Sequence, residues 1–469
     1  MSENENIGQS ENPKKPLPLW RRILVALVLL AMLLLAGSML ASFWMGRQLG
    51  RQIAAISQAG EPLTFPDPKT DQPALTDPND AARLYREALM SISSAHLQQL
   101  TNFNLAYRSQ IISLPPDQIA QPVREQAAKF EEILQPVLEK IDQAASMDLS
   151  HFDLEITQGL KIFMDRLTRA NICSLMMSLR TLDHIAHNQA DAAADSAVGM
   201  LKLVRILDDQ PLVNTLPTRI QGAGLASEDI RLLLERTEPS PAALIKLQQA
   251  LEKVHPENLL VKMLRAERVY QLEVARNLIP SHVAEQYLSA TAAPLPERLK
   301  PRSSWTRLRL RRNTVNYLHA MAQMIAAARG SWPELIDHIK AVEPAQKQSE
   351  QKGKTVVEIA QIIGETVARV RATDCLLAIA RYRCDHQKLP AALEELVGDY
   401  LAAVPADPFT GAALIYKQDE KGFQVYSVGR DRKDDGGSFA AAQAGAPAAD
   451  LVLRVNFTPP FASPEAATP

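Results

Sequence analysis

The chain has 469 residues, with 51 Lys and Arg against 53 Asp and Glu, which gives a formal charge of −2. This near-balance excludes a nucleic-acid binder that works through an overall basic field. Hydrophobic residues make up 46% and aromatic residues 5% of the chain, which favours helices built on Ala and Leu, and three cysteines are too few for a disulfide-stapled scaffold. The length predicts about three segments.

The first predicted element is a membrane-spanning helix. The 23 residues from Ile23 to Met45 carry no charge, and as a helix they would extend about 34 Å, enough to cross a hydrocarbon core of about 30 Å. A cleaved signal peptide is the alternative, but its apolar region is shorter, about 7–15 residues. We predict a tail at 1–19 and an uncleaved anchor at 20–46.

Basic residues on the two sides of the apolar run predict its orientation. Four precede it and two follow it, which favours a cytoplasmic N-terminus: Lys14, Lys15, Arg21 and Arg22, then Arg47 and Arg51. The chain is therefore expected in the inner, cytoplasmic membrane, with most of its residues on the extracytoplasmic, periplasmic side.

A proline-rich linker and a helical domain are predicted next. Residues 47–80 contain Pro62, Pro66, Pro68, Pro73 and Pro78, a spacing that forbids a continuous helix and favours a semi-rigid spacer. Residues 81–345 then show the apolar periodicity of helices. Faces of this kind occur at 83–108, 122–146, 153–188, 190–208, 218–236, 240–254, 258–289 and 313–328.

The helical region predicts packed helix hairpins without a regular repeat. Two pairs of helices are expected, 190–208 with 218–236 and 240–254 with 258–279. No pattern recurs at about 34 residues, so an irregular α-helical domain is predicted rather than a tetratricopeptide array.

Two features of this region have a chemical and a structural interpretation. His184 and His187 are three residues apart on a predicted helix and provide two metal ligands, but the spacing fixes no third ligand, and solvated helix surface explains it as well. Gly222 and Gly224 resemble part of a dinucleotide-binding loop, but no strand precedes them, and helix packing is the simpler explanation.

The sequence contains no motif of a known catalytic class. It has no HExxH and no P-loop GxxxxGK[ST], and it has no GxSxG outside the membrane segment. We therefore predict that the protein is not an enzyme.

A basic patch is predicted at 298–312. On the far side of a membrane it would face anionic headgroups or an acidic protein, and a solvated helix face is the alternative. Its seven basic residues are Arg298, Lys300, Arg302, Arg307, Arg309, Arg311 and Arg312.

The sequence of residues 355–458 predicts a small α+β domain, which is followed by a disordered tail at 459–469. One long helix is expected from Thr355 to His386, with Cys375 and Cys384 on opposite faces. Strands are predicted at 414–416, 422–428 and 451–455 from their aromatic and β-branched residues. The overall prediction is a mainly α protein that ends in a long helix packed on an antiparallel sheet.

Short motifs in this C-terminal region resemble a known family. Tyr382 and Asp385 end the long helix, and Leu389-Pro390, Asp407-Pro408, the strand end Tyr426-Ser427-Val428-Gly429 and the acidic loop Asp431 to Gly437 follow in order. This order resembles the soluble domain of type II secretion major pseudopilins and type IV pilin-like proteins, over about 85 residues. The resemblance implies a pilin-like fold and a partner in the cell envelope.

The chain departs from that family at its N-terminus. Pseudopilins join the long helix directly to an apolar helix that follows a prepilin peptidase site, whereas here about 310 residues separate the two, and the glycine and glutamate of that site are missing. We therefore expect a permanently tethered pilin-like domain rather than a polymerising subunit.

The acidic loop is a candidate cation site. Asp431, Asp434 and Asp435 lie within five residues, and carboxylates so close repel one another unless a cation or a basic side chain neutralises them. Arg430, Arg432 and Lys433 are the alternative to a metal ion. The family resemblance implies that Ca²⁺ binds here, and it adds Asp450 and the Ser427 carbonyl as ligands.

These observations predict a membrane-anchored extracytoplasmic scaffold that binds protein partners of the cell envelope, in a type II secretion or pilus-type assembly. Two alternatives stay open. One is an envelope hydrolase with a cleft between the helical and C-terminal domains, and the other is a helical binding domain that the C-terminal domain only stabilises. The sequence leaves the partner's identity, the oligomeric state and the redox state of Cys173, Cys375 and Cys384 open.

Overall fold

The computed structural model describes residues 18–64, 81–93, 95–96, 98–100, 102–103, 121–147, 160–209, 215–254, 258–275, 304–342, 356–437 and 450–457. These residues divide into two compact units. One contains 18–60 and 304–318, and the other contains all remaining described residues. The expected domain boundary near 345–355 and residues 65–80 of the proline-rich linker lie outside the described residues and stay predictions.

The first unit is built on helix α1, Leu19–Gln58. Among the described residues it is the one helix long and apolar enough to cross a membrane, with a mean hydropathy of 2.8 in its most apolar window. Its large side chains are exposed, for example Leu33 at 70% and Leu40 at 71%. The helix continues beyond the predicted anchor to Gln58, because no proline lies between the end of that anchor at residue 46 and Pro62.

The second unit is mainly helical. Ser240 begins one of its helices as predicted, because its hydroxyl accepts a hydrogen bond from the Ala243 N–H at 3.2 Å and Pro241 occupies the first turn. The helices are α2 Ala81–Ser91, α3 Gln121–Ala145, α4 Leu160–Ala186, α5 Ala190–Arg205, α6 Leu216–Arg236, α7 Pro241–Glu252, α8 Leu259–Ala275, α9 Ser304–Ala327, α10 Trp332–Val342 and α11 Val356–His386. Helix α9 begins in the first unit and ends in the second.

The first predicted hairpin is present, because α5 packs on α6, and both helices also pack on α4. The second predicted pair was 240–254 with 258–279, but these two helices do not pack mainly on each other. Helix α7 packs on α5 and α11, through the apolar stripe Leu244, Leu247, Leu251 and Val254 that follows from its sequence and is buried.

Three antiparallel strands follow α11 in the order β1-β2-β3, with β1 Ile415–Asp419, β2 Gly422–Ser427 and β3 Leu451–Asn456. Their ends lie within three residues of the predicted ones. Val425 of the central strand is paired with Tyr416 on one side and Leu453 on the other. The coarse prediction of a mainly helical chain with a small C-terminal antiparallel sheet is therefore confirmed.

Helix α11 belongs to the cores of both the sheet and the helices. It packs on β2 and β3 as well as on α6 and α7. Apolar residues of this helix, such as Ile363, Val367 and Leu377, are fully buried. Gln248 of α7 adds polar contacts, because its amide nitrogen donates to Asp374 at 2.8 Å and to the Tyr400 carbonyl at 2.9 Å. The α+β region is thus held against the helices by its central helix.

Candidate functional site

The acidic loop follows β2 and turns sharply. Gly429, Arg432, Gly436 and Gly437 all have positive φ, between 61° and 84°. Glycine is favoured at 437 because its φ of 72° lies in the left-handed region, and a Cβ there would also overlap the side-chain amide of Gln424. The turn brings the end of the loop back to Asp450, which directly precedes β3.

Asp450 is the best-buried carboxylate of the candidate cation site, at 8% exposure. Its Oδ2 accepts hydrogen bonds from the N–H groups of Asp435, at 3.1 Å, and Gly437, at 2.8 Å. Its Oδ1 is buried and has no hydrogen-bond partner among the described residues. One carboxylate oxygen therefore holds the loop in place and the other is left for a ligand.

Two of the other three acids of the loop, Asp431 and Asp434, bind their own turns. Asp434 Oδ1 accepts from the Gly436 N–H at 2.8 Å and from the Tyr426 hydroxyl at 3.0 Å, and these bonds hold the pKa of Asp434 below its ordinary value. Asp431 Oδ1 accepts from the Lys433 N–H at 3.1 Å. The Asp434 and Asp435 side chains are exposed.

Ser427 is fully buried at the end of β2, and its hydroxyl accepts from the Gly429 N–H at 3.2 Å. In the part of the chain that the structure describes, no three His, Cys, Asp or Glu side chains are grouped so that they would hold a metal ion. The unpartnered Asp450 oxygen fits a cation, whereas the carboxylates of the loop are not gathered around it, so the calcium site stays a prediction.

The loop's arginines pair with acids outside it. Arg430 forms a bidentate pair with Glu365 of α11, at 2.5 and 2.9 Å, and Arg432 forms one with Asp337 of α10, at 2.9 and 3.1 Å. Neither arginine therefore neutralises the loop's carboxylates directly. Lys417 of β1 is the cation next to them, because its ammonium donates to the Gly436 carbonyl at 3.2 Å.

Several of the C-terminal motifs that resemble the pseudopilin family contact one another in the folded chain. Asp407 accepts from the Phe409 N–H at 2.8 Å through one carboxylate oxygen and from the Val428 N–H at 2.9 Å through the other. The Tyr400 hydroxyl donates to Asp385 at 2.7 Å. The turn at Asp407-Pro408 is therefore fastened to the end of β2, and the end of α11 to the turn at Tyr400.

Only part of the predicted basic patch is described. Arg298, Lys300 and Arg302 and the side chain of Arg307 lie outside the described residues, while Arg309, Arg311 and Arg312 are exposed on α9. Arg311 donates to the carbonyl and the hydroxyl of Ser42 on α1, at 2.8 and 2.9 Å. Arg311 therefore bonds to the apolar run of α1, whereas Arg309 and Arg312 are exposed to solvent or a ligand.

His184 is half-buried near the end of α4, and His187 is exposed in the turn that follows it. His184 Nδ1 is 2.7 Å from the Gln189 side-chain oxygen, and His187 Nδ1 is 2.9 Å from the Asp183 carbonyl. Their nearest polar partners are thus an amide and a backbone group.

No family model, no curated protein and no solved structure matches the chain. The resemblance to pseudopilins therefore depends on the short sequence motifs alone and stays a prediction.

Proposed function

We propose that the chain is a single-pass inner-membrane protein whose extracytoplasmic part is a binding scaffold. The observation that carries this proposal is α1, a 40-residue helix with an uncharged run from Ile23 to Met45 whose large apolar side chains are exposed. Exposed apolar surface on this scale is unfavourable in water and is what a lipid-facing helix requires. Residues 61–469 then form the extracytoplasmic part.

The acidic loop is the proposed partner-binding surface of the scaffold. Two bidentate arginine pairs, Arg430 with Glu365 and Arg432 with Asp337, hold the loop on α11 and α10, while Asp434 and Asp435 face solvent. A loop that is fixed before binding loses little conformational entropy when a partner binds. Its chemistry suits a basic protein surface, or a cation bridging to a partner.

The family resemblance gives the class of partner. If the α+β region is pilin-like, its partner is an envelope protein of a type II secretion or pilus-type assembly. A bound Ca²⁺ at Asp450 would then stiffen the loop, as the resemblance implies.

The alternative of an envelope hydrolase requires acids or histidines that converge in a cleft. A cavity of about 740 Å³ in the larger unit is lined instead by Lys262, Arg265, Arg329 and Arg371, with Asp407 as its one acid. Both oxygens of Asp407 already accept backbone N–H groups. This lining favours binding of an anion over acid–base hydrolysis.

Loop substitutions test the scaffold better than a truncation does. Deleting 355–469 would also remove α11 from the core of α6 and α7. A photo-crosslinking residue at Asp435 in native membranes should capture a secretion or pilus component, and the same residue at exposed Lys388, outside the loop, should not. Asp434→Asn with Asp431→Asn should reduce capture. Equal capture from both positions would reject the loop as the partner-binding surface.

A further inference from the structure

The cavity in the larger unit lies among four segments of the chain. These are the residues at the start of α8, the turn between α9 and α10, α11 at Arg371, and the turn at 406–411. Its volume of about 740 Å³ is within the range of small-molecule sites, about 300–1,000 Å³.

The lining carries an excess of positive charge. Lys262, Arg265, Arg329 and Arg371 contribute four cations. The one lining acid, Asp407, is buried at 3% exposure with both carboxylate oxygens bonded to backbone N–H groups. Lys262 is exposed and forms no ion pair with any described acid. Among the described residues, Lys262 is therefore a cation at the surface of the cavity that has no acid partner.

Glu61 neutralises only part of this charge. Its carboxylate accepts hydrogen bonds from Arg265 at 3.1 Å, Arg329 at 2.6 Å and Arg268 at 2.6 Å, so one negative charge is shared among three guanidinium groups. The Nε of Arg265 is buried and has no hydrogen-bond partner in the described part of the chain. A buried N–H donor in this condition is what an additional acceptor would satisfy.

The start of α10 adds a second favourable element. Trp332, the first residue of this 11-residue helix, and Ser331 before it both line the cavity. The first N–H groups of a helix have no intrahelical acceptor and carry partial positive charge. The indole of Trp332, with Val261 and Leu335, also gives the cavity an apolar wall.

We propose that this cavity binds a ligand with a phosphate group and an apolar body. The guanidinium groups and Lys262 bind the phosphate, because arginine presents a planar fork that matches oxyanion geometry and lysine adds a point charge. The apolar body packs on Trp332. A soluble phosphate monoester and a phospholipid headgroup both have this chemistry, and the experiment distinguishes them.

The full chain, reconstituted in phosphatidylcholine nanodiscs, is titrated with phenyl phosphate and with inorganic phosphate by isothermal calorimetry. We expect saturable binding of phenyl phosphate that is at least tenfold tighter than that of inorganic phosphate. In the second arm, nanodiscs that contain phosphatidylglycerol are titrated in the same way. If phenyl phosphate binds more weakly in these nanodiscs, the lipid competes for the cavity, and the natural phosphate group belongs to a lipid headgroup. Unchanged affinity for phenyl phosphate identifies a soluble ligand.

The matched variants are Lys262→Gln in the cavity and Lys388→Gln outside it. Both lysines are exposed, so neither change should impair folding. In Lys262→Gln, the loss of one charge-assisted contact should weaken the affinity for phenyl phosphate by about tenfold. Lys388→Gln should bind phenyl phosphate as tightly as the parent chain does. No saturable binding of phenyl phosphate in either nanodisc, or equal weakening by both substitutions, overturns the proposal.

Discussion

The carboxylate of Glu61 accepts a hydrogen bond from the guanidinium of Arg268 at 2.6 Å, and the Arg268 side chain is only 2% exposed. Glu61 follows the last residue of α1 by three positions. It also pairs with Arg265 and Arg329, so the first residue of the larger unit is held by helix α8 and by the turn after α9.

We predict that Glu61→Gln lowers the free energy of unfolding by about 3 kcal/mol, because a buried guanidinium that loses its carboxylate is left uncompensated. Chemical denaturation of the full chain in detergent measures this change. Glu87→Gln is the matched control, since its pair with Arg83 is 42% and 35% exposed and should contribute less than about 1 kcal/mol. Equal effects of the two substitutions would contradict the importance of this cluster.

The same cluster predicts an acid sensitivity. Burial alone would raise the pKa of Glu61, but the hydrogen bonds and charges of Arg268 and Arg265 outweigh it and hold that pKa below its ordinary value of 4.5. Because the folded pKa is depressed, the stabilisation is complete above pH 4.5 and is lost as the pH falls through the folded value. Unfolding midpoints at pH 7 and pH 3 should therefore differ less in Glu61→Gln than in the parent chain.

A third prediction concerns the contact between helix α6 and the sheet. Arg231 of α6 donates to the main-chain carbonyl of Arg454 in β3 at 3.0 Å and pairs with Glu228 and Glu235. Arg231→Ala should destabilise the chain by about 2 kcal/mol, since it removes a partly buried charge-assisted network. Lys246→Ala, which breaks an exposed pair with Asp195, should change stability by less than about 1 kcal/mol. A small effect at Arg231 would show that the sheet does not depend on α6.

Two glycines of α6 provide a sharper comparison. A Cβ on Gly222 would overlap Cγ2 of Val204 on α5, whereas a Cβ on Gly224 would have no atom within 4 Å. Gly222→Ala should therefore destabilise by about 1–3 kcal/mol through overpacking, and Gly224→Ala should stabilise by about 0.5–1 kcal/mol through helix propensity. Thermal unfolding of both variants measures this difference. Similar shifts of the same sign would contradict the α5–α6 packing.

The acidic loop gives a fifth prediction. If the Asp450 Oδ1 atom contributes to a Ca²⁺ site, millimolar Ca²⁺ should raise the Tm of the full chain relative to chelator, and Asp450→Asn should remove that increase. Asp419→Asn is the control, because Asp419 pairs with Arg454 away from the loop. A Tm that is the same with calcium and with chelator would contradict the calcium site.

Local patterns predicted the elements of this fold better than its contacts. The Ser240-Pro241 cap, the long helix ending at His386 and the three strands follow from residues adjacent in sequence. Helix α10 was not predicted from the sequence. The segment from Trp332 to Val342 is short, and its Pro333 is a residue type that often ends a helix.

The partners of the charged residues could not be predicted, because they are distant in sequence. Arg268 is 207 residues from Glu61, and Arg432 is 95 residues from Asp337. The loop sequence offered Arg430 and Arg432 as cations that neutralise neighbouring acids, whereas both arginines pair with acids on helices α11 and α10. One sign of the cationic cavity was present in the sequence, namely Lys262 and Arg265 three residues apart on one helix, but a helix face of this kind is usually solvated.

Membrane topology is the most direct test of the proposed anchor and scaffold. A single cysteine is placed either at Asp435 or at Ser2 in a chain whose Cys173, Cys375 and Cys384 are changed to Ala, and intact spheroplasts are treated with a membrane-impermeant maleimide. We expect labelling of the Asp435→Cys chain in intact spheroplasts, and of the Ser2→Cys chain only after the membrane is permeabilised. Labelling of Ser2→Cys from outside, with Asp435→Cys protected, would contradict it.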